Sequence, residues 1–495
     1  MLMKPIIRPM QAFGPCLKQL LQARGTSASE LARMMGYKSR NSIFRILDEE
    51  GGHSARQALY DRLMEEDPLA FAIQEREELA QALEISRVGL VAFLDNRAMR
   101  ELLMDVSMEE AAQEIRLIPA DGKPASAKRM IERAKEVEEL VVTITGCCDR
   151  QICAMMNEGL SQLDARIRIT HYVYTGEEEL IRNLSAIQPL LYRSDYMAYA
   201  VEPGVFSREK QRLYRNNVIY VRAKTDDGKW HDRNFVLVDK GFLLEFIQRG
   251  AGSMAQLSRI FSEDMKVMRP LKAPRYGDEA DYLAYTEECL KLEQSRAIYM
   301  IKRDVPLSYV QTDILSQCVL EGFAEAGIAQ NEELEPLLEQ LQRVHNQRQE
   351  CYFARRKPSY TVFDRSAMER FAQTGRQSDH FFAFRPYTPQ ERVRILTHLR
   401  GQAMQNPNFH VYFFKPEYES PPMEITLFEG MGTLMAKPGT DYDLAGDHAE
   451  TLITQESFCQ CYKNYFLQDL LEKQVMNGEE TIAELDRLIE IAKNA

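Results

Sequence analysis

The residues best suited to chemistry lie together near the start of the chain: Lys38, Ser39, Arg40, Asn41, Ser42 and Arg45. Arginine and lysine fit the O6/N7 edge of guanine or a phosphate, asparagine fits the N6/N7 edge of adenine, and serine suits either kind of base. In a helix beginning near Ser39, the run 38–42 occupies the N-terminal turn, whose unpaired amides attract phosphate. Arg45 follows about one turn further on. These are the side chains of a surface that reads double-stranded DNA, and all six are expected contacts.

The charge distribution agrees with this only after the chain is divided. Its 495 residues carry a net charge of −12, which taken whole argues against a nucleic-acid partner. Residues 1–47 hold Lys4, Arg8, Lys18, Arg24, Arg33, Lys38, Arg40 and Arg45 against Glu30 alone, a surplus of +7 that leaves −19 for the remainder. A small basic head on a large acidic body confines phosphate binding to the head, and the body should repel a duplex.

The elements that must position these residues are legible in the periodicity. Pro15 suits a first helical turn, Leu17, Leu20 and Leu21 make an apolar stripe, and Arg24-Gly25 ends it. Ser27 with Glu30 spells a capping box for a second helix carrying Leu31, Ala32, Met34 and Met35, which stops at Gly36. Ser39 caps a third helix through Ile43, Phe44, Ile46 and Leu47, and a fourth contains Ala58, Leu59, Leu63 and Met64. Small Ala32 lets the third helix cross the second closely, and Gly36 supplies the turn between them. In Leu31-Ala32, Gly36 and the polar run 38–42, residues 13–66 resemble the lambda-repressor-like (Cro/C1, XRE-type) helix-turn-helix family. The resemblance covers about a tenth of the chain. It implies that Lys38, Arg40, Asn41, Ser42 and Arg45 enter the major groove, and such short domains gain specificity as two-fold homodimers on paired half-sites. The chain departs from the family after the third helix, where Leu47-Asp48-Glu49-Glu50-Gly51 replaces the usual Glu/Asn-Gly ending.

The fold class expected is a mainly α N-terminal helix-turn-helix domain followed by a larger α/β body. Residues 1–66 form the DNA-binding domain and 67–136 a helical linker or dimerisation segment. An α/β domain spans 137–275, a helical connection 276–355, and a second α/β domain with C-terminal helices 356–495. The strand signals are 139–145, 166–174, 217–223 and 234–238 in the first mixed segment and 410–414, 424–428 and 432–436 in the second. The similar length and order of the two segments suggest a pseudo-duplicated body, without a residue-level repeat. The strand VVTIT, the helix after it, the strand RIRITHYV and a later strand ending near Val238-Asp239 resemble the phospholipase-D-like fold, which occurs in some bacterial regulators as a sensor. Active members carry His-x-Lys, four residues, then Asp. Here His231-Asp232-Arg233 has arginine for lysine and Asp239 falls one place late, so the resemblance implies lost activity.

Other clusters read more plainly. Gly375, Arg376, Ser378, Asp379 and His380, with Arg385 behind, suit a solvated connection or salt bridge better than a ligand loop. Thr440, Asp441, Tyr442, Asp443, Asp447, His448 and Glu450 lack metal-loop spacing and read as an acidic loop. Trp230, Met34, Met35, Met155 and Met156 are expected to be buried. Nine scattered cysteines read as reduced, mostly buried thiols, and with no membrane-length apolar run or secretion signal the expected location is the cytoplasm. The reading is therefore a non-enzymatic, cytoplasmic transcriptional regulator without a cofactor. Its expected partners are double-stranded DNA, a second copy and a small-molecule effector, with no membrane. Two alternatives remain open: a nuclease or phosphodiesterase of phospholipase-D type targeted by the head, and a phage-defence or scaffold protein whose head binds protein.

Overall fold

The structure, a computed structural model, describes residues 10–37, 39–103, 116–118, 125–126, 137–176, 179–225, 228–239, 242–246, 254–272, 282–294, 296–325, 334–354, 357–377, 385–437 and 449–495. The chain divides into two compact units, Met1–Ala98 and Met99–Ala495. The first is helical: α1 (Phe13–Ala23), α2 (Ala28–Met34), α3 (Arg40–Leu47), α4 (His53–Glu66) and α5 (Ile73–Val88), with α6 (Leu90–Leu103) leading into the second unit. Its core joins Phe13, Leu17 and Leu20 of α1, Leu31 of α2, Ile43, Ile46 and Leu47 of α3, and Leu59 and Leu63 of α4. Leu79, Ala82 and Leu83 of α5 complete this core, so a helix from the segment read as a linker packs into the head. Full burial of each such side chain contributes roughly 1.5–3 kcal/mol.

Two sheets build the second unit, and an α/β body is what the sequence predicts. The first sheet orders its strands β2-β1-β8-β7-β6-β3-β4-β5-β9, with β1 (Arg116–Ile118), β2 (Ala125–Ser126), β3 (Val137–Thr145), β4 (Arg166–Tyr174), β5 (Tyr196–Val201), β6 (Val218–Thr225), β7 (Trp230–Asp239), β8 (Phe242–Phe246) and β9 (Arg269–Pro270). The second runs β12-β11-β10-β13-β14-β15, with β10 (Ile298–Lys302), β11 (Ser359–Phe363), β12 (Phe409–Phe413), β13 (Glu424–Phe428), β14 (Gly432–Lys437) and β15 (Ala449–Ile453). In each sheet three strands run parallel, β3-β4-β5 and β10-β11-β12. The first strand of each trio then pairs antiparallel with a following meander, β6-β7-β8 or β13-β14-β15. The shared order β5-β4-β3-β6-β7-β8 and β12-β11-β10-β13-β14-β15 is a matter of topology, not of sequence.

The connections differ. Single helices α7 (Arg150–Leu160) and α8 (Leu180–Leu191) link the parallel strands of the first sheet, whereas the second uses pairs, α12 (Thr312–Glu325) with α13 (Leu334–Phe353) and α14 (Arg365–Thr374) with α15 (Pro389–Gln405). Between β5 and β6 stands α9 (Arg208–Arg215), while residues 414–423, the corresponding connection between β12 and β13, carry no helix. Helices α10 (Met254–Asp264) and α11 (Tyr282–Glu293) join the two sheets in sequence. The sheets meet where Thr451 Oγ1 and Lys272 Nζ both donate to the Leu191 carbonyl, at 2.8 and 2.9 Å.

Several strands escape the sequence reading. Residues 298–302 fall in a segment read as helix, yet β10 lies at the middle of the second sheet because a short apolar run buried on both faces has no period to distinguish it. Strands β5 and β11 also fall in segments to which the sequence assigns no strand, and β15 lies next to an acidic run. The long helix read over 455–475 is two pieces, α16 (Glu456–Tyr465) and a π-helical stretch, Phe466–Gln474. There buried Asp469 accepts from Arg100 Nε at 2.8 Å and Gln474 Nε2 at 2.9 Å. The closing helix, α17 (Gly478–Asn494), starts on a capping box of Asn477 and Glu480. Among the described residues, no helix is long and apolar enough to cross a membrane.

Candidate nucleic-acid interface

Helix α3 divides into two faces. Ile43, Ile46 and Leu47 are buried, while Arg40, Asn41, Ser42, Phe44 and Arg45 are exposed. Ser39, exposed, caps the helix by accepting from Asn41 N at 3.3 Å, which leaves its hydroxyl proton and a second lone pair for a partner. Lys38 lies outside the described residues. Arg40 and Arg45, with exposed Arg33 on α2, enter no ion pair among the described residues. Other head cations are spent within the fold: Lys18 pairs with Asp48 at 2.5 Å and Arg24 with Glu75. The first unit as a whole has thirteen cationic and thirteen anionic side chains, so its positive character belongs to the region of α2 and α3 and not to the whole unit.

What holds α3 begins in α1. A Cβ on Gly14 would meet the Leu47 carbonyl oxygen at 2.4 Å, so only glycine lets the start of α1 pass the end of α3. The Gly14 amide, one of the unpaired donors of that helix start, donates to Glu49 Oε1 at 2.6 Å. Ser86 Oγ donates to the same oxygen at 3.1 Å, and Phe13 N donates to Ser86 Oγ at 2.6 Å. Arg56, 8% exposed, pairs with Glu49 at 3.1 Å and donates to the Gly51 carbonyl at 2.5 Å. Glu49 sits at φ 59°, an uncommon conformation for a side chain with a Cβ, and this network keeps it there. The run 47–51 thus has a structural use, which no local sequence signal disclosed. On the other side, Ser27 and Glu30 make the capping box read from the sequence, and the two hydrogen bonds from Ser27 hold the Glu30 carboxyl below its usual range. Gly36, at φ 65°, turns the chain toward α3.

Phe44, within the third helix, is 42% exposed and shares the outer face with Arg40, because i and i+4 lie on one side of a helix. Met34 likewise reaches solvent, while Met35 is fully buried. Trp230, expected against the sheet, is 42% exposed with Arg222 above its ring at 5.1 Å.

No protein-family model matches this chain, and no curated protein matches it.

The remaining candidates are placed as follows. His231 is exposed near the start of β7, opposite Ala223 of β6, and its neighbours Asp232 and Arg233 pair with Arg222 at 2.8 Å and Glu245 at 3.3 Å. Gly375, at φ 72°, leaves no room for a Cβ against the Tyr387 backbone. Buried Gln377 donates to the Val305 carbonyl at 2.5 Å, and Arg385 pairs with Glu391 at 2.8 Å and with Glu321. Ser378, Asp379 and His380 lie outside the described residues, as do 440–448. All nine cysteines are free; burial pushes Cys147 up to about 12 and raises Cys153 well above the usual thiol range, so neither is a thiolate at neutral pH. Among the described residues no cluster could hold a metal ion. A cleft of about 600 Å³ opens at the carboxyl edge of β11 and β12, lined by Asp364, Arg365, Ser366, Lys415, Tyr418 and Ser420 among others.

Proposed function

We propose that residues 13–66 form a helix-turn-helix domain that binds double-stranded DNA, and that the protein is a transcriptional regulator. One observation carries the reading: an N-capped helix buries Ile43, Ile46 and Leu47 while Arg40, Asn41, Phe44 and Arg45 stand exposed together, with both arginines outside any described ion pair. Unpaired guanidinium groups are available for guanine edges and phosphate, Asn41 for adenine, and Phe44 for a thymine methyl. Leu90, Val91 and Leu94 expose an apolar stripe near the start of α6, and we assign to it the contact with a second copy that two half-sites require. The cleft between Asp364 and Lys415 lies at the strand edge where open α/β sheets bind ligands, and is the place we assign to a small effector. The repeated strand order supports a duplicated body. Selection of bound duplexes from a random library, followed by titration of Arg40→Ala, tests the central claim. A recovered motif whose binding weakens by about 1–3 kcal/mol is expected; no enrichment, or unchanged binding by the variant, would remove α3 from the interface.

A further inference from the structure

Helix α9 belongs to the second unit and is the one helix inserted between β5 and β6, where the matching connection of the second sheet has none. Its sequence, REKQRLYR, places Arg208, Arg212 and Arg215 at i, i+4 and i+7, a single face about 10 Å long. All three are exposed, and none enters an ion pair among the described residues. Other arginines of this acidic unit are tied to carboxylates, as Arg193 is to Asp195, Arg348 to Glu293 and Arg487 to Glu484. The helix dipole accounts for cations in the last turn, which suits Arg212 and Arg215, but it opposes Arg208 in the first turn. Folding gives no reason for Arg208, nor for three arginines on one face, unpaired among the described residues.

The helix is held firmly from beneath. Tyr214 is fully buried and donates to Asp264 Oδ2 at 2.6 Å, and Lys210 pairs with Asp264 Oδ1 at 2.6 Å. At the far end the guanidinium of Arg215 lies over the Tyr174 ring at 3.9 Å. Asn216 and Asn217 follow, their backbone fixed where Thr145 Oγ1 donates to the Asn216 carbonyl and Leu237 N to the Asn217 carbonyl, each at 2.8 Å. Their side chains are exposed at a cleft of about 430 Å³ shared with Arg215, Val218, Val236 and Leu237. A linear row of cations ending in two exposed amides matches a chain of phosphates better than a single anion.

We propose that Arg208, Arg212 and Arg215, with Asn216 and Asn217 at the adjoining cleft, form a second nucleic-acid contact that holds the phosphate backbone. Its row of like charges suits the repeating phosphates, and it stands independently of the assignment of α3. The test is fluorescence anisotropy of the full chain on a random-sequence duplex across a salt series. The variants are Arg208→Gln/Arg212→Gln/Arg215→Gln, Arg40→Gln/Arg45→Gln, the two combined, and the triple lysine substitution at 208, 212 and 215. Three lost phosphate contacts should reduce the slope of log affinity against log salt by about 2–3, in both the wild-type and the Arg40/Arg45 backgrounds. The lysine variant should keep that slope. An Arg40/Arg45 variant equal to wild type, with the triple glutamine variant still weakened, would sink the α3 reading and leave this one standing. Equal slopes with and without the three arginines in the Arg40/Arg45 background would overturn the proposal. So would saturable pyrophosphate binding at these arginines that duplex fails to displace.

Discussion

Helices α3 and α9 have the same length, eight residues, and each begins on a serine cap, Ser39 and Ser207. Beyond that they are opposites. The inner face of α3 is aliphatic and enters a core shared with four other helices, and its outer face mixes arginine with asparagine, serine and phenylalanine. The inner anchor of α9 is one tyrosine hydrogen-bonded to a carboxylate, and its unpaired outer face is arginine alone. Mixed donors, acceptors and an aromatic edge can distinguish bases, whereas a uniform row of like charges suits the repeating phosphates of the backbone. Sequence preference should therefore follow α3, and salt dependence should follow both.

The largest effect that would separate them is Ile43→Asp. A carboxylate in place of a fully buried side chain costs several kcal/mol and should unfold the first unit. Sequence preference should vanish while the salt-sensitive component tied to Arg208 persists. The single Trp230, in the second unit, should keep its emission, so a changed Trp spectrum would mean that the damage is not confined to the head.

Acid should separate the units in the other direction. Burial lowers His171 and His345 to about 4 from an ordinary 6.5, whereas His53, the one histidine of the first unit, is exposed. Between pH 6.5 and 4 the unfolded chain binds protons that the folded one refuses, so the second unit loses stability as pH falls through that window and loses no more from these groups below it. At full extent each contributes about 3 kcal/mol. Thermal unfolding at pH 7, 5.5 and 4 should show the second unit destabilised first, and His345→Gln should flatten part of the trend. Earlier loss of the helical head would break the expectation.

Glu49→Gln is a smaller perturbation. It removes the carboxylate shared by Gly14, Ser86 and Arg56 and should lower the stability of the first unit by about 1–3 kcal/mol, seen as a lower urea midpoint and weaker duplex binding. An unchanged midpoint would deny the network a role in seating α3. Smallest of all, Phe44→Ala should cost only a few-fold, confined to sites with thymine at the contacted step. An equal loss on every sequence would place Phe44 in packing and not in readout.

The helices of the head were legible because each announces itself locally. The Ser27–Glu30 box, Gly36 and the Ser39 cap are short-range signals, and the apolar spacing of 43, 46 and 47 fixes which face turns inward. The same spacing leaves Phe44 outside. In the body, alternation exposed 166–174 and 424–428 with their observed limits, but strand 298–302, a short apolar run near the middle of its sheet, leaves no polar phase to follow. The arginines of α9 passed unnoticed for another reason. Beside Glu209 and Lys210 they look like any solvated helix, and only the pairing of Lys210 with Asp264 shows which cations the fold has already used.

Composition and short-range pattern alone determined a helical head, an α/β body and the concentration of positive charge before residue 48, because caps, turns and periodicity act within a few residues. The tertiary structure decided which of those charges remain unspent, that Glu49 braces the end of α3, and that two sheets share one strand order. Each of these depends on residues tens to hundreds of positions apart being brought within hydrogen-bonding distance, and no local pattern encodes that closure.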